Sequence, residues 1–159
     1  MKRLLLIGFI GLFFMPTYSS AWNYSTTNKT ELNADKGDRK KKKIVKENLK
    51  IANKLIAQNK LYESIEYLKI ALQADPDNAQ ICYKIAEIYR FSRYYNKAEE
   101  YYRTCAIKDY ESFPLLYFWL GMMQKAIGEF DQAKQSYNVF MNQYKGEEAY
   151  YKNKAAKEM

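Results

Sequence analysis

The chain has 159 residues, with 16 tyrosines, two cysteines and no histidine, and its formal net charge is +8 at pH 7. The lack of histidine excludes histidine-based acid–base catalysis and histidine metal ligands. The sequence also contains no phosphate-binding glycine loop, no nucleophile motif and no CxxC pair. We therefore predict that the protein is not an enzyme, and we expect no cofactor.

The first predicted element is an export signal over residues 1–21. Lys2–Arg3 precede the apolar run Leu4–Met15, and small residues then lead to Ala21. A charged start, an apolar core and a small-residue cleavage site are typical of a secretory signal peptide. The run is shorter than the about 20 apolar residues that span a bilayer, although an uncleaved membrane anchor is the alternative. We expect a mature chain that begins near Trp22, in the periplasm or attached to the bacterial envelope.

A disordered polar and basic linker is predicted over residues 22–43. Its first part is rich in polar residues, above all Asn and Thr, and has no apolar periodicity, which is typical of disordered segments. It ends in a basic run made of Arg39, Lys40, Lys41, Lys42 and Lys43. This run is either a solvated start to the first helix or a weak contact to anionic lipid headgroups or cell-wall polymers. Since the rest of the mature chain is close to neutral, no nucleic-acid partner is expected.

Three similar helical hairpins are predicted over residues 44–147. Small residues recur at one position of each first helix and of each return helix, at steps of 34 and then 35 residues. They are Ala52, Ala86 and Gly121 on the first helices and Ser64, Ala98 and Ala133 on the return helices. Two helices can cross closely only where the residues at the crossing are small. Self-similarity at this period indicates a helical solenoid.

At these positions the sequence resembles the tetratricopeptide repeat, a helix–turn–helix unit of about 34 residues. Asp75-Pro76, which closes the first unit, and Gly128-Glu129-Phe130 at the third turn add to the resemblance, which covers about Val45–Glu147. It implies an all-α, right-handed solenoid of three repeats followed by a C-terminal capping helix. The implied repeats are residues 45–78, 79–112 and 114–147.

The C-terminal capping helix is predicted over residues 148–159. Gly146 is a helix-stop residue, and the apolar Tyr150 and Ala155 that follow would cover the exposed side of the third hairpin. Solenoids need such a terminal cap, although the chain could instead be a fragment of a longer protein. This ending is similar to that of the N-terminal repeat modules of bacterial envelope proteins. A homo-oligomer formed through the exposed ends is a further expectation.

The two cysteines, Cys82 and Cys105, lie at equal distances from the predicted turn between Arg93 and Tyr94. Both are therefore at one level of the second hairpin, on its inward face. In an oxidising compartment, two cysteines so placed can form a disulfide. The alternative is a pair of buried thiols that act as small apolar residues.

A binding groove lined by the first helices is what the resemblance implies for function. The ligand-facing positions carry both apolar and charged side chains, which suits an extended peptide or a partner helix. These positions are Lys46, Leu49, Asn53 and Ile56, then Tyr83, Glu87 and Arg90, then Leu115, Phe118, Met122 and Lys125. Some of them could instead pack against the N-terminal segment or the last helix.

The leading hypothesis is an exported adaptor or scaffold that mediates protein–protein interaction in the bacterial envelope. Tetratricopeptide domains that bind a C-terminal carboxylate use a set of Lys, Arg and Asn side chains in the groove. Here only Asn53 and isolated basic residues match, and Leu115 and Trp119 stand where positive side chains would be needed, so carboxylate capture is not expected. One alternative is a structural or truncated module of a larger envelope or secretion complex. The other is an anionic-surface binder that works through residues 39–43.

Overall fold

The computed structural model describes residues 21–146 and 149–159, with side chains from residue 36 onward. Seven α-helices and no strand occur in these ranges. They are α1 (Ala21–Ala57), α2 (Leu61–Ala74), α3 (Ala79–Phe91), α4 (Tyr95–Asp109), α5 (Leu116–Ala126), α6 (Phe130–Gln143) and α7 (Ala149–Glu158). The prediction of an all-α fold with three helical hairpins and a C-terminal helix is confirmed. The predicted signal lies, apart from Ala21, outside the described residues.

The chain divides into two compact units, residues 1–37 and 38–159, and the hairpins belong to the second. The structure departs from the predicted linker at α1, which already begins at Ala21 and includes the basic run. No proline interrupts this helix, and its one glycine, Gly37, costs a helix only about 1 kcal/mol. Nothing in the sequence therefore stops the helix from extending through polar residues. Within the described ranges, no helix combines the length and the apolar character needed to cross a membrane.

The turns inside the three hairpins share one backbone geometry. Asn59, Arg93 and Gly128 have φ values of 57°, 61° and 88°, in the left-handed region. The next residue of each turn donates its backbone N–H to the carbonyl five residues earlier, at 2.8–2.9 Å. This is the hydrogen bond of a Schellman motif, which ends one helix and starts the return. The repeat seen in the sequence therefore recurs as the same turn conformation in all three hairpins.

The helices of each hairpin cross at the small residues. All six predicted crossing residues are buried. The approach is close in the third hairpin, where a Cβ added to Gly121 would lie 2.8 Å from Cε1 of the buried Tyr137 ring. In the second hairpin, Tyr102 takes the place of Tyr137 beside Ala86. The small residues set the distance between the helices, and the large rings beside them fill the space that remains.

The cysteines are free, buried thiols in the second hairpin. Cys82 and Cys105 share an apolar cluster with Ala79 and Leu116, and Cys105 Sγ donates a hydrogen bond to the Ala79 carbonyl at 3.5 Å. Burial raises the pKa of Cys105 to about 12, so the unreactive thiol form prevails at neutral pH. The predicted disulfide is not formed in the structure, which has the alternative arrangement of two packed thiols.

Replacing Gly121 by Ala is expected to lower the free energy of unfolding by about 1–3 kcal/mol. The added methyl group must push against the Tyr137 ring, which outweighs the higher helix propensity of alanine. Urea unfolding followed by circular dichroism measures the change. Gly37→Ala is the matched control, because its Cβ meets nothing within 4 Å, and its stability should stay equal or rise. A Gly121→Ala protein as stable as the parent would contradict the close crossing.

Candidate protein-binding surface

The first helices of the three hairpins lie side by side. Asn53 Oδ1 on α1 accepts a hydrogen bond from Lys84 Nζ on α3 at 2.9 Å. The guanidinium carbon of Arg90 on α3 lies 3.9 Å from the ring centroid of Trp119 on α5. The predicted ligand-facing residues are therefore distributed over three adjacent helices. Their exposure and their partners differ from one helix to the next.

On α1, the predicted residues remain accessible. Lys46 and Asn53 are exposed, whereas Leu49 and Ile56 are half-buried and pack against the main core cluster. A depression of ≈ 800 Å³ lies between this part of α1 and the end of α2, where Asp75 approaches. One wall is basic and the other acidic, so the depression can hold a segment that carries both charges.

On α3, the predicted charged residues neutralise each other. Glu87 accepts hydrogen bonds from Arg90 at 2.6 Å and 3.1 Å. The hydroxyl of the buried Tyr102 donates a further hydrogen bond to Glu87. Burial is the main reason why the pKa of Tyr102 is raised far above its usual value, and the Glu87 charge adds to the effect, so the hydroxyl stays a neutral donor. The Arg90 guanidinium also stacks on Trp119. The charges of Glu87 and Arg90 are therefore both engaged within the protein and are not available to bind a ligand.

An aromatic cavity of ≈ 370 Å³ adjoins α3. The Tyr83 ring stacks on Phe113, with centroids 4.4 Å apart and planes at 10°, and it meets Tyr102 edge to face at 5.6 Å. The residues that line this aromatic cavity are Tyr83, Ser112, Phe113, Pro114, Leu115, Tyr144 and Tyr151. Such a lining is mostly apolar and suits one large apolar side chain of a partner.

Sequence reasoning identified only Tyr83 and Leu115 among the residues that line the aromatic cavity. Phe113 and Pro114 belong to the loop that carries the one additional residue of the 35-residue step. Tyr144 is the C-cap residue of α6, and Tyr151 lies on α7. The high tyrosine content was the available signal, but a repeat pattern does not show which tyrosines meet.

On α5, the predicted residues are largely covered by α7. Phe118 is fully buried, with its ring 5.2 Å from that of Tyr151 and 5.5 Å from that of Phe140. Lys125 Nζ donates to Glu158 Oε2 at 2.7 Å and to the Glu158 carbonyl at 3.1 Å. Phe118 is therefore covered, whereas the Lys125 side chain is still 39% exposed while it pairs with Glu158. The alternative that the last helix covers part of the groove holds for α5.

Met122 is half-buried and packs against both large core clusters. Leu115, the residue before α5, packs against the cluster formed by α5, α6 and α7 and faces the aromatic cavity. Of the α5 residues predicted to face a ligand, Leu115 therefore has the most direct access to a cavity.

A buried polar network joins α4, α5 and α6 behind this surface. Glu99 accepts hydrogen bonds from Arg103 Nε at 2.8 Å and from Gln124 Nε2 at 3.5 Å. The hydroxyl of Ser136 donates to Gln124 Oε1 at 2.7 Å. Each member of the network is held by protein partners, so the network fixes the angle between repeats and offers no activated group.

Comparison with protein families finds the tetratricopeptide repeat model at residues 79–106 and 115–138, within the second and third hairpins. No curated protein matches the sequence.

Several solved structures have a similar fold. The second TPR domain of human RPAP3, in complex with the HSP70 peptide SGPTIEEVD, has a TM-score of 0.64 at 19% identity, over 74% of this chain and 97% of that chain. The Sgt2 TPR domain from Aspergillus fumigatus has 0.59 at 19%, over 72% and 76%. The TPR2B domain of yeast Sti1, in complex with pHsp70, has 0.59 at 11%, over 72% and 92%. At these identities the similarity shows the fold alone.

Ala155→Asp is expected to release α7 from α5. Ala155 is fully buried in the cluster with Phe118 and Tyr137, and an unpaired buried charge costs about 3 kcal/mol or more. An isolated helix of this length is marginal. Amide hydrogen exchange within Ala149–Glu158 should therefore accelerate at least about 100-fold, while α3 and α4 keep their protection.

Asn153→Asp is the matched control for this change, because it adds the same charge at an exposed position of the same helix. Its exchange rates should stay close to those of the parent. If α7 remained protected in Ala155→Asp, the docking of α7 on α5 would be disproved.

Proposed function

We propose that this chain, whose helices form a solenoid of tetratricopeptide repeats, is an adaptor that binds a peptide segment of another protein and performs no catalysis. The binding surface consists of the accessible parts of α1 and α3 together with the aromatic cavity. The observation that carries the proposal is this cavity, an apolar recess that α7 borders without filling. Partly exposed apolar side chains beside a recess are typical of protein-interaction sites.

The surface favours recognition by an apolar anchor. A partner side chain that enters the aromatic cavity contacts the stacked rings of Tyr83 and Phe113, and burial of apolar area supplies most of the affinity. Leu49 and Ile56 on α1 extend the contact along the peptide. The exposed Lys46 and Asn53 can hydrogen-bond to its backbone carbonyls. The expected ligand is an extended segment with a large apolar residue at its centre.

The same surface disfavours a peptide that ends in an acidic group. Arg90 is engaged by Glu87 and Tyr102, Lys125 is engaged by Glu158, and Lys84 is engaged by Asn53. A carboxylate at the centre of the surface would have to compete with Glu87 for Arg90 or with Glu158 for Lys125, and only Lys84, which has the neutral Asn53 as its partner, could accept it without such competition. The peptide seen with human RPAP3 ends in EEVD, and we infer that the partner of this chain has a different chemistry.

A displayed library of random peptides, selected on the purified protein, tests the proposed function. We expect selected peptides to share a large apolar residue and to bind Tyr83→Ala at least about tenfold more weakly, a loss of about 1.4 kcal/mol. Fluorescence anisotropy measures the dissociation constants. Ser112→Trp, at an exposed position beside the aromatic cavity, should block the same peptides without removing a packed side chain.

Tyr62→Ala is the matched control, because Tyr62 is an exposed tyrosine on the return helix α2, 60% accessible. It should bind the selected peptides as the parent does. Selection of no peptide, or equal affinity of all three variants, would contradict the proposed site. Equally tight binding of SGPTIEEVD would contradict the proposed preference for an apolar anchor.

We further infer that the protein is exported to the bacterial envelope. The support is the sequence alone: Lys2–Arg3, the apolar run Leu4–Met15 and the small residues up to Ala21 have the order of a secretory signal. Export would place the adaptor among envelope proteins, from which its partner would come.

Expression of the full chain in a bacterial host, followed by periplasmic fractionation and mass spectrometry, tests export. The expected product is a periplasmic chain that starts at Trp22. Leu6→Arg should keep the full-length chain in the cytoplasm, because a charge in the apolar run blocks signal function. Thr26→Arg adds the same charge after the cleavage point and should be exported normally. A full-length product in the membrane fraction would instead support the anchor.

A further inference from the structure

The helix α1 presents a basic face on the side away from the core. Lys40, Lys43, Lys46, Lys50 and Lys54 recur every three or four residues, and all five are exposed. We name these five lysines the basic face. The opposite side of the helix packs Val45, Leu49, Ala52 and Ile56 into the main core cluster. At 1.5 Å per residue, the basic face extends over about 21 Å along one straight helix.

Little negative charge accompanies the basic face. Between residues 38 and 57, the sequence contains only Asp38 and Glu47 as acids. Glu47 lies 3.9 Å from Lys43 Nζ, and both side chains are well exposed. Such a pair is weak in water, so the face keeps a strong positive potential. Lys40 and Lys43 of the basic run predicted from the sequence are therefore the first part of a longer cationic surface.

An apolar recess lies directly beside the C-terminal lysines of the basic face. This shallow depression of ≈ 660 Å³ on the surface of α1 is lined by the apolar Ile51 and Leu55 together with Lys50, Lys54, Glu47 and Gln58. Ile51 is 41% exposed although it is a large apolar residue. Cations next to an apolar recess match an amphiphile, whose headgroup is anionic and whose chain is apolar.

We propose that the basic face of α1 binds an anionic phospholipid surface, with the helix lying flat on it. Each lysine near such a surface strengthens binding about fivefold, and Ile51 with Leu55 reaches the acyl boundary. Cations that share one face of a helix can all approach a plane at once. Duplex nucleic acid would use the lysines but leave the apolar recess without a partner.

This surface is distinct from the aromatic cavity, and the proposal does not depend on the proposed adaptor function. The basic face shares Lys46 with the proposed peptide-binding surface, but none of its lysines lines the aromatic cavity. Vesicle binding by Tyr83→Ala, which changes the cavity alone, therefore tests the two proposals separately.

Sedimentation of the full chain with vesicles tests the proposal. One set of vesicles contains equal parts of phosphatidylglycerol and phosphatidylcholine, and the other contains phosphatidylcholine alone. The difference between the two isolates the anionic contribution from any binding by the apolar run Leu4–Met15. We expect the anionic vesicles to bind at least about 30-fold better, with an advantage that falls as salt is raised.

The decisive variant changes all five lysines of the basic face to glutamine, which keeps helix propensity. Its matched control changes five exposed lysines elsewhere to glutamine, so that net charge falls equally: Lys60, Lys97, Lys134, Lys145 and Lys157. The first variant should lose the preference for anionic vesicles, and the control should stay within about threefold of the parent. Circular dichroism confirms that both remain helical.

A smaller change, Ile51→Ser, should weaken binding to anionic vesicles about threefold or more, through loss of apolar contact alone. Three results would overturn the proposal: equal binding to neutral vesicles, equal loss in both lysine variants, or unchanged binding by Ile51→Ser. Tighter binding of duplex DNA than of anionic vesicles, abolished by the same five substitutions, would replace the lipid with nucleic acid as the partner.

Discussion

Each hairpin depends on a close crossing of its two helices at a small residue. At Gly121 the crossing is so tight that the ring of Tyr137 occupies the place of a methyl group. Once that distance is set, the Schellman turns return the chain in the same direction each time. The first helices then lie next to each other, which brings Asn53 to Lys84 and Arg90 to Trp119. The accessible surface is a consequence of this repeated crossing.

The chemistry of that surface depends on which charged side chains are already paired with each other within the fold. Glu87 and Arg90 satisfy each other, and Lys125 is held by Glu158 from α7. Since a partner must compete with these internal pairs, charge offers it little new energy. Burial of apolar area can supply binding energy, because the aromatic cavity and the side chain of Leu49 are partly exposed to water. Around α3 and α5, the proposed surface therefore offers a partner mainly apolar contact.

Much of the fold could be predicted from the sequence, because helical period and residue size act locally. The spacing of Ala52, Ala86 and Gly121 predicted the crossings, and the helix count followed. The site could be predicted only in part. Periodicity shows which face a residue occupies within its repeat, but not whether a later helix covers it, and Phe118 is the example. The aromatic cavity joins Tyr83 to Tyr151, and no local pattern links them. The early start of α1 was missed because polar composition is a weaker signal than the absence of any helix breaker.

The two proposed surfaces share the helix α1, and this gives them a physical connection. Lys50 lines both the depression beside Asp75 and the recess beside Ile51. Lys46 of the basic face lines this depression too, and a headgroup that holds both lysines leaves only Lys41 and Lys42 against Asp38, Asp75 and Asp77, so the depression becomes acidic on balance. Bound lipid must then change the affinity for any peptide that contacts this depression. By linkage, the bound peptide changes the affinity for the lipid by the same factor. A partner with basic residues beside its apolar anchor would bind more tightly when α1 lies on an anionic surface. A partner with acidic residues there would bind more tightly when the protein is free in solution. The same helix that begins the solenoid would in this way favour capture of one class of partner at the membrane.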